Sequence, residues 1–436
     1  MNASVRTEAR LESFKELLAH IHERILPGIG FEAWDGSTVP PRLAPDMPVL
    51  VIADEGAVAA LVQRPSVHTF LNLWVTGRID IRNGTVFDLF ARRPAMRNRE
   101  LIRRLDKRRA LATAAKFLFV RRGGPWPLEA IRGDKAPADG SEAANKANIQ
   151  YHYDLSNEFY TLMLDPEMVY SCAYFTDWNN DLATAQRHKL DMICRKLRLE
   201  PGDRFLDVGC GWGALVCHAA QHYGVHAHGL TLSEEQFTYA KEKAARLELG
   251  GRVAFELSDY SRVGGTYDKI ASVGMFEHVG LANHTTYFQT INRLLEPGGL
   301  YLHHAITLRA REFDRFRRGK SPAAAWIRRY IFPGAAVDHL SMTVANLELA
   351  GFEVHDIEGW REHYARTARL WHDRLAENRA AAEHEVGASR TRLWLIWLAG
   401  SSIAFARGSS CIFQTLASNR VRGPSGLPQT RADLYR

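Results

Sequence analysis

Cysteine is scarce in this chain of 436 residues. Cys172, Cys194, Cys210, Cys217 and Cys411 follow no paired metal-ligand spacing, so no metal site is expected. Their odd number suggests free thiols in a reducing cytoplasm. Long apolar runs are also missing. The longest uncharged stretch, Leu393 to Ala406, is interrupted by Gly400, Ser401 and Ser402. It is too short to span a bilayer and reads as a buried core helix. The first ten residues hold no apolar run, so no secretory signal is expected. Repeats are absent, and no basic–aromatic interleaving or known module points to nucleic acid.

What is present is an ordinary globular composition, 46% hydrophobic and 24% charged, in a length suited to two or three domains. The net charge of +7 is unevenly spread. Between Arg92 and Arg122 stand twelve Arg and Lys residues opposed only by Glu100 and Asp106. Leu101, Ile102, Leu105, Leu111 and Ala115 recur among them at roughly helical spacing, which predicts a basic amphipathic helix. Ahead of it, Pro48–Ala53 reads as a strand and Glu55–Gln63 as a helix. Leu73–Gly84 reads as an alternating strand ending in an Asn-Gly turn. Together these predict an N-terminal α+β domain over residues 1–122. Breakers and small polar residues mark a linker at 123–145, followed by a second domain over 146–436.

From residue 200, strands and helices alternate. Arg204–Val208, Val225–Leu230, Val253–Leu257, Tyr267–Val273 and Leu300–Ile306 are the expected strands. Ala214–His222, Glu234–Leu247 and Thr285–Leu294 are the helices, the second opened by a capping box at Ser233–Gln236. This pattern means an α/β, doubly wound parallel sheet. Its ligand belongs at the carboxyl ends of the strands, where Gly209, Gly211 and Gly213 follow the first strand. Bare backbone there lets a ligand come close. The spacing is one residue shorter than the dinucleotide fingerprint, and no Lys-Ser/Thr pair follows to make a P-loop.

Asp207-Val-Gly-Cys-Gly-Trp-Gly213 resembles the first motif of S-adenosylmethionine-dependent methyltransferases, and Ser258-Asp259-Tyr260 resembles their adenine-binding position. The second strand carries no acid at its tip, which leaves the ribose to Thr231, Gln236 or a Glu one turn on. Four further blocks narrow the resemblance: His152–Tyr160, Tyr170-Ser-Cys-Ala-Tyr-Phe175, Phe276-Glu-His-Val279 and Tyr330-Ile-Phe-Pro-Gly334. With Thr231–Gln236 they resemble the cyclopropane-fatty-acyl-phospholipid synthases and their mycolic-acid relatives, from about residue 145 onward. The N-terminal part resembles, more loosely, the small lipid-binding-like domain of the longer synthases.

The resemblance implies a Rossmann-like class I methyltransferase domain. Its reaction passes a methyl group from S-adenosyl-L-methionine to the cis double bond of an unsaturated phospholipid acyl chain. A carbocation forms, a proton leaves the new methyl group and a ring closes. It assigns the proton-handling site, with a bound bicarbonate as base, to Cys172 (through its backbone N–H), Glu277, His304, the backbone of Ile306 and Tyr364. Cofactor contacts fall on Tyr170, Ser171, Asp207, Gly209, Gly211, Gly213, Thr231, Leu232, Gln236, Asp259 and Tyr260. Glu277 and His304 would orient the anion and accept the proton onward. Met168, Tyr170, Tyr174, Phe175 and Met275 would line a dry channel. The basic helix, and a second cluster from Arg309 to Arg329, would face an anionic membrane surface. That makes the expected location cytoplasmic and peripheral to the membrane; a homodimer is admitted. Two alternatives stay open: the same transfer giving a methylene, methyl-branched or hydroxylated chain, and a non-catalytic lipid-binding protein.

Overall fold

The computed structural model describes residues 3–96, 98–124, 155–310 and 322–435. Most of the expected linker, His152–Asp154 and the stretch Arg311–Lys320 of the second basic cluster lie outside them. Contacts divide the chain into two units, Met1–Arg132 with Gly387–Ala399, and Gly133–Val386 with Gly400–Arg436.

The first unit holds a four-stranded sheet in the order β2-β1-β3-β4. Its strands are β1 (Gly30–Glu32), β2 (Thr38–Val39), β3 (Val49–Ile52) and β4 (Ile79–Arg82). Helix Glu55–Gln63 starts where Asp54 accepts the Ala57 N–H at 2.9 Å. The long strand expected from Leu73 is corrected. Ser66 accepts the Thr69 N–H and caps helix Val67–Val75, which takes in Leu73, Trp74 and Val75 and buries them. A cap and a buried face outweigh a run of alternation. Nor does the Asn-Gly signal make a hairpin: Asn83, at φ 56°, turns the chain into helix Val86–Ala91.

The basic helix is also corrected. It is two helices, Asn98–Arg103 and Lys107–Phe117, separated where Asp106 accepts the N–H groups of Arg108 and Arg109. The buried face of the second is Thr113 and Phe117. Phe117 meets Phe14 and Trp34 edge-on, and Thr113 pairs with Ser13 at 3.1 Å. Leu111, expected on the buried side, is 70% exposed, and Phe119 is 97% exposed. The apolar run at Leu393 begins in helix Ala388–Ala406, whose first half belongs to this unit. There the buried Arg392 guanidinium donates to Trp74 O (2.7 Å), Ile79 O and Asp80 Oδ2 (both 3.0 Å), and covers the Trp74 ring.

The second unit is built on a seven-stranded sheet, β10-β11-β9-β8-β5-β6-β7. It comprises β5 (Arg204–Val208), β6 (His226–Thr231), β7 (Val253–Leu257), β8 (Tyr267–Val273), β9 (Leu295–Leu308), β10 (Phe352–Gly359) and β11 (Ser410–Asn419). Strands β7, β6, β5, β8 and β9 run parallel; β11 enters antiparallel to β9, and β10 is antiparallel to β11. Three expected strands match residue for residue, and the helices between them differ by a residue or so at their ends. Apolar layers cover both faces of the sheet, the condition under which parallel strands are stable. The order reverses between β5 and β8, so the loops after those two strands open a crevice.

Candidate active site

Residues 209–213 leave β5 at that crevice. The N–H groups of Gly209 and Cys210 both donate to Leu230 O, at 3.0 and 2.8 Å, which ties the loop to β6. Gly211 sits at φ 55°, and a Cβ there would meet nothing within 4 Å, so this backbone faces open space. Gly213 differs from the expectation of cofactor contact. A Cβ there would come within 2.8 Å of the Phe255 ring and 2.9 Å of Ala240. Gly213 packs helix Ala214–Tyr223 against its neighbours and does not line the cleft.

The cleft holds about 1050 Å³ including its mouth, enough for a ligand of nucleoside size. Tyr170, Ser171, Asp207, Gly209, Gly211, Thr231, Leu232, Gln236, Asp259 and Tyr260 all line it. The capping box is half formed. Ser233 Oγ accepts the Gln236 N–H, but the Gln236 side chain turns away and its Oε1 accepts from Thr231 Oγ1 at 2.9 Å. The Ser233 N–H donates instead to Thr231 Oγ1. Gln236 lines the cleft, whereas Glu234 and Glu235 are exposed and outside the lining. Asp259 is braced by Ser261, whose N–H and hydroxyl donate to Oδ1 at 2.9 and 2.6 Å.

The sequence reading missed Lys189, a buried cation that lines the cleft and donates to Ser171 Oγ at 2.9 Å. Burial pushes its ammonium down to about 8 and the Asp207 carboxyl up to about 7, each pulled back by opposite charge. A signal was present: Lys189 and Lys196 stand seven apart on helix Leu182–Leu197, on the face that carries Ala185 and Ile193.

A second group of residues gathers beside the cleft. Cys172, Trp360, Phe405 and Ile412 form a small core, against which Ile306, Tyr174 and Tyr364 pack. Tyr174 stacks on Trp360 at 4.7 Å and Tyr364 on Phe405 at 4.5 Å. His304 meets the Trp360 ring edge-on at 5.4 Å. Tyr174 and Phe175, which packs against His363, stand apart from Met168, Tyr170 and Met275 in the cleft. The expected channel residues thus fall into two sets.

Cys172 is fully buried. Its Sγ donates to Ala173 O, and burial drives the thiol far above its ordinary range. Glu277 lies on the turn Phe276–His278 after β8. Its Oε1 accepts the Ile306 N–H at 2.7 Å. Of the Ile306 backbone expected at this site, the N–H is committed to Glu277. Glu277 Oε2 is buried with no partner among the described residues, and burial raises the carboxyl. Its neighbour His278 lines the cleft, so one turn joins the two groups of residues. On β9, His303 and His304 are both buried, not one alone as an exposed sheet face would give. His303 accepts or donates at Tyr301 on one side. His304 has Nδ1 against Gln414 at 2.9 Å on the other, and its Nε2 has no partner among the described residues.

Comparison with known proteins agrees with this geometry. The family model for mycolic acid cyclopropane synthetase matches residues 141–415. A "Probable fatty acid methyltransferase" of Pseudomonas putida is 36% identical over 406 residues, 92% of this chain and 95% of that protein. The cyclopropane-fatty-acyl-phospholipid synthase of Escherichia coli K12 is 40% identical over 224 residues, 51% of this chain and 55% of its own length. A crystal structure of mycolic acid cyclopropane synthase CmaA1 complexed with SAH and CTAB covers 63% of this chain and 98% of its own. It has a TM-score of 0.59 and 33% identity. With the cleft and the matched span taken together, this chain belongs to the mycolic acid cyclopropane synthetase family of S-adenosylmethionine-dependent methyltransferases.

Proposed function

We propose that this enzyme transfers a one-carbon unit from S-adenosylmethionine to the cis double bond of an unsaturated phospholipid acyl chain and closes a cyclopropane ring. The observation that carries this reading is the turn at residues 276–278. It puts His278 on the cleft and leaves Glu277 Oε2 buried with no partner among the described residues. Methylation of an alkene leaves a proton to be removed, and a carboxyl raised by burial is suited to handle one.

Bound S-adenosylmethionine supplies the electrophilic methyl group. Residues lining the cleft would hold it: Gly211 would yield space, Thr231 and Gln236 would meet the ribose, and Asp259 and Tyr260 the base. The residues also fit a bound bicarbonate. Two buried atoms, Glu277 Oε2 and His304 Nε2, lack partners among the described residues; His304 meets the Trp360 ring, and Cys172 and Tyr364 belong to the small core around Trp360. Such an anion would supply the proton acceptor there.

A second reading keeps the first step and changes which proton leaves, giving a methylene or methyl-branched chain; the name of the Pseudomonas putida relative favours it. Mass spectrometry of lipids from a host expressing the protein separates the two. A gain of one CH2 that survives mild hydrogenation supports the ring, and uptake of hydrogen overturns it.

The acyl chains of a bilayer must be reached from its surface. Exposed Leu111, Leu118 and Phe119 stand among exposed Arg103, Arg104, Lys107 and Arg108, a composition suited to an anionic interface. Phe119→Ser with Leu111→Ser should weaken sedimentation with phosphatidylglycerol vesicles several-fold, and salt should weaken the unaltered protein too. Binding indifferent to both would remove this surface from the reading.

A further inference from the structure

Two buried polar residues take no part in the reaction as described so far. Lys196 is 1% exposed and lies on helix Leu182–Leu197. Gln414 is equally buried and stands on β11 directly opposite His304 of β9. The Lys196 ammonium donates to Gln414 Oε1 at 2.8 Å and to the Glu358 carboxylate. An ammonium has donors only, so the Gln414 oxygen must face it and the NH2 must face the other way. That NH2 lies 2.9 Å from His304 Nδ1. A neutral imidazole keeps one proton, and a ring nitrogen that accepts a hydrogen bond cannot carry it. The proton therefore sits on Nε2, the atom with no partner among the described residues. Burial and the nearby lysines keep the ring from taking a second proton.

We infer that Lys196 and Gln414 are positioning residues that lock His304 as an Nε2–H donor. His304 then holds an anionic group by donating to it and does not accept the proton released in the reaction. The sequence reading gave Glu277 and His304 the same task; the network separates them. Glu277, whose Oε1 accepts the Ile306 N–H and whose Oε2 has no partner among the described residues, is left as the group that passes the proton on. The order Glu358, Lys196, Gln414, His304 draws on a helix and three strands, so the tautomer is set by tertiary structure. The role of the anion rests on the function proposed above; the tautomer does not.

The test is NMR of protein carrying ¹⁵N-labelled histidine, with His304 assigned by its loss in His304→Gln. The expected spectrum has a pyridine-like Nδ1 and a pyrrole-like Nε2. Gln414→Glu puts an acceptor where the NH2 stood, so the pyrrole-like signal should move to Nδ1. In that variant kcat should fall about 10–100-fold, the range for losing an orienting partner, with S-adenosylmethionine affinity within about threefold. Gln414→Met, which removes the donor without adding charge, should give a mixture of tautomers. A protonated Nδ1 in the unaltered protein overturns the inference, whatever product the enzyme makes and whether or not a variant folds. A locked ring together with a rate indifferent to bicarbonate supports the inference and sinks the anion reading instead.

Discussion

The cleft after β5 and the buried cluster around Glu277 and His304 are made in opposite ways. The cleft is assembled from short, continuous pieces: the turn after β5, Thr231–Gln236 after β6 and Ser258–Tyr260 after β7. Its polar side chains mostly bond to near neighbours, as Thr231 does to Gln236 and Asp259 to Ser261. The buried cluster is assembled from residues far apart in sequence, with Glu277 bound to Ile306 and Lys196 to Gln414. Among the described residues Glu277 Oε2 and His304 Nε2 are buried without partners, as is Asp207 Oδ1 in the cleft. Such atoms cost stability unless something binds them.

Breaking each side separately sharpens that contrast. Glu277→Gln keeps an oxygen for the Ile306 N–H and removes the ionisable group. Turnover should fall by about 10²–10⁴-fold, while S-adenosylmethionine affinity, read by calorimetry, stays within about threefold. Equal losses in both would merge the two regions into one. Gly211→Val is the converse, because a β-branched residue is strained at positive φ and its side chain would occupy the cleft. Affinity should weaken about 10–100-fold, roughly 1.4–2.8 kcal/mol; unchanged affinity would remove that backbone from the binding surface.

The smallest effect concerns Asp207. Its folded carboxyl sits at about 7 and its ordinary value is 3.8. The folded state thus holds a proton that the unfolded chain has lost. The stabilisation is whole below the ordinary value and fades as pH rises through about 7. Asp207→Asn should abolish that decline, so the variant, without cofactor, should gain on the parent between pH 5 and pH 8. The gain should be roughly 1–3 kcal/mol in urea unfolding. A pH-independent difference would show that Asp207 is ionised throughout.

The same contrast explains what could be read from the sequence. The cleft was legible because strand, glycine turn and helix follow one another, so spacing in sequence is spacing in space. The packing around Gly213 was not legible, because a glycine that admits a ligand and one that admits Phe255 look alike in a motif. Glu277 and His304 were reachable only through resemblance. Gln414 carried no signal, since its meaning depends on the pairing of β11 with β9, more than a hundred residues apart. In the first unit, Leu73–Val75 alternates like a strand, yet Ser66 had already committed it to a helix.

Arg392 has a consequence for how this protein is made. It supplies three hydrogen bonds to the first unit but is encoded near the end of the chain. The N-terminal part emerges first from the ribosome, yet cannot reach its final state until residues 387–399 have been synthesised. Until then Trp74 and the carbonyls of Trp74 and Ile79 wait without their guanidinium. A fragment ending before that segment would lack a piece of its own interior, so the two units cannot be separated by a single cut.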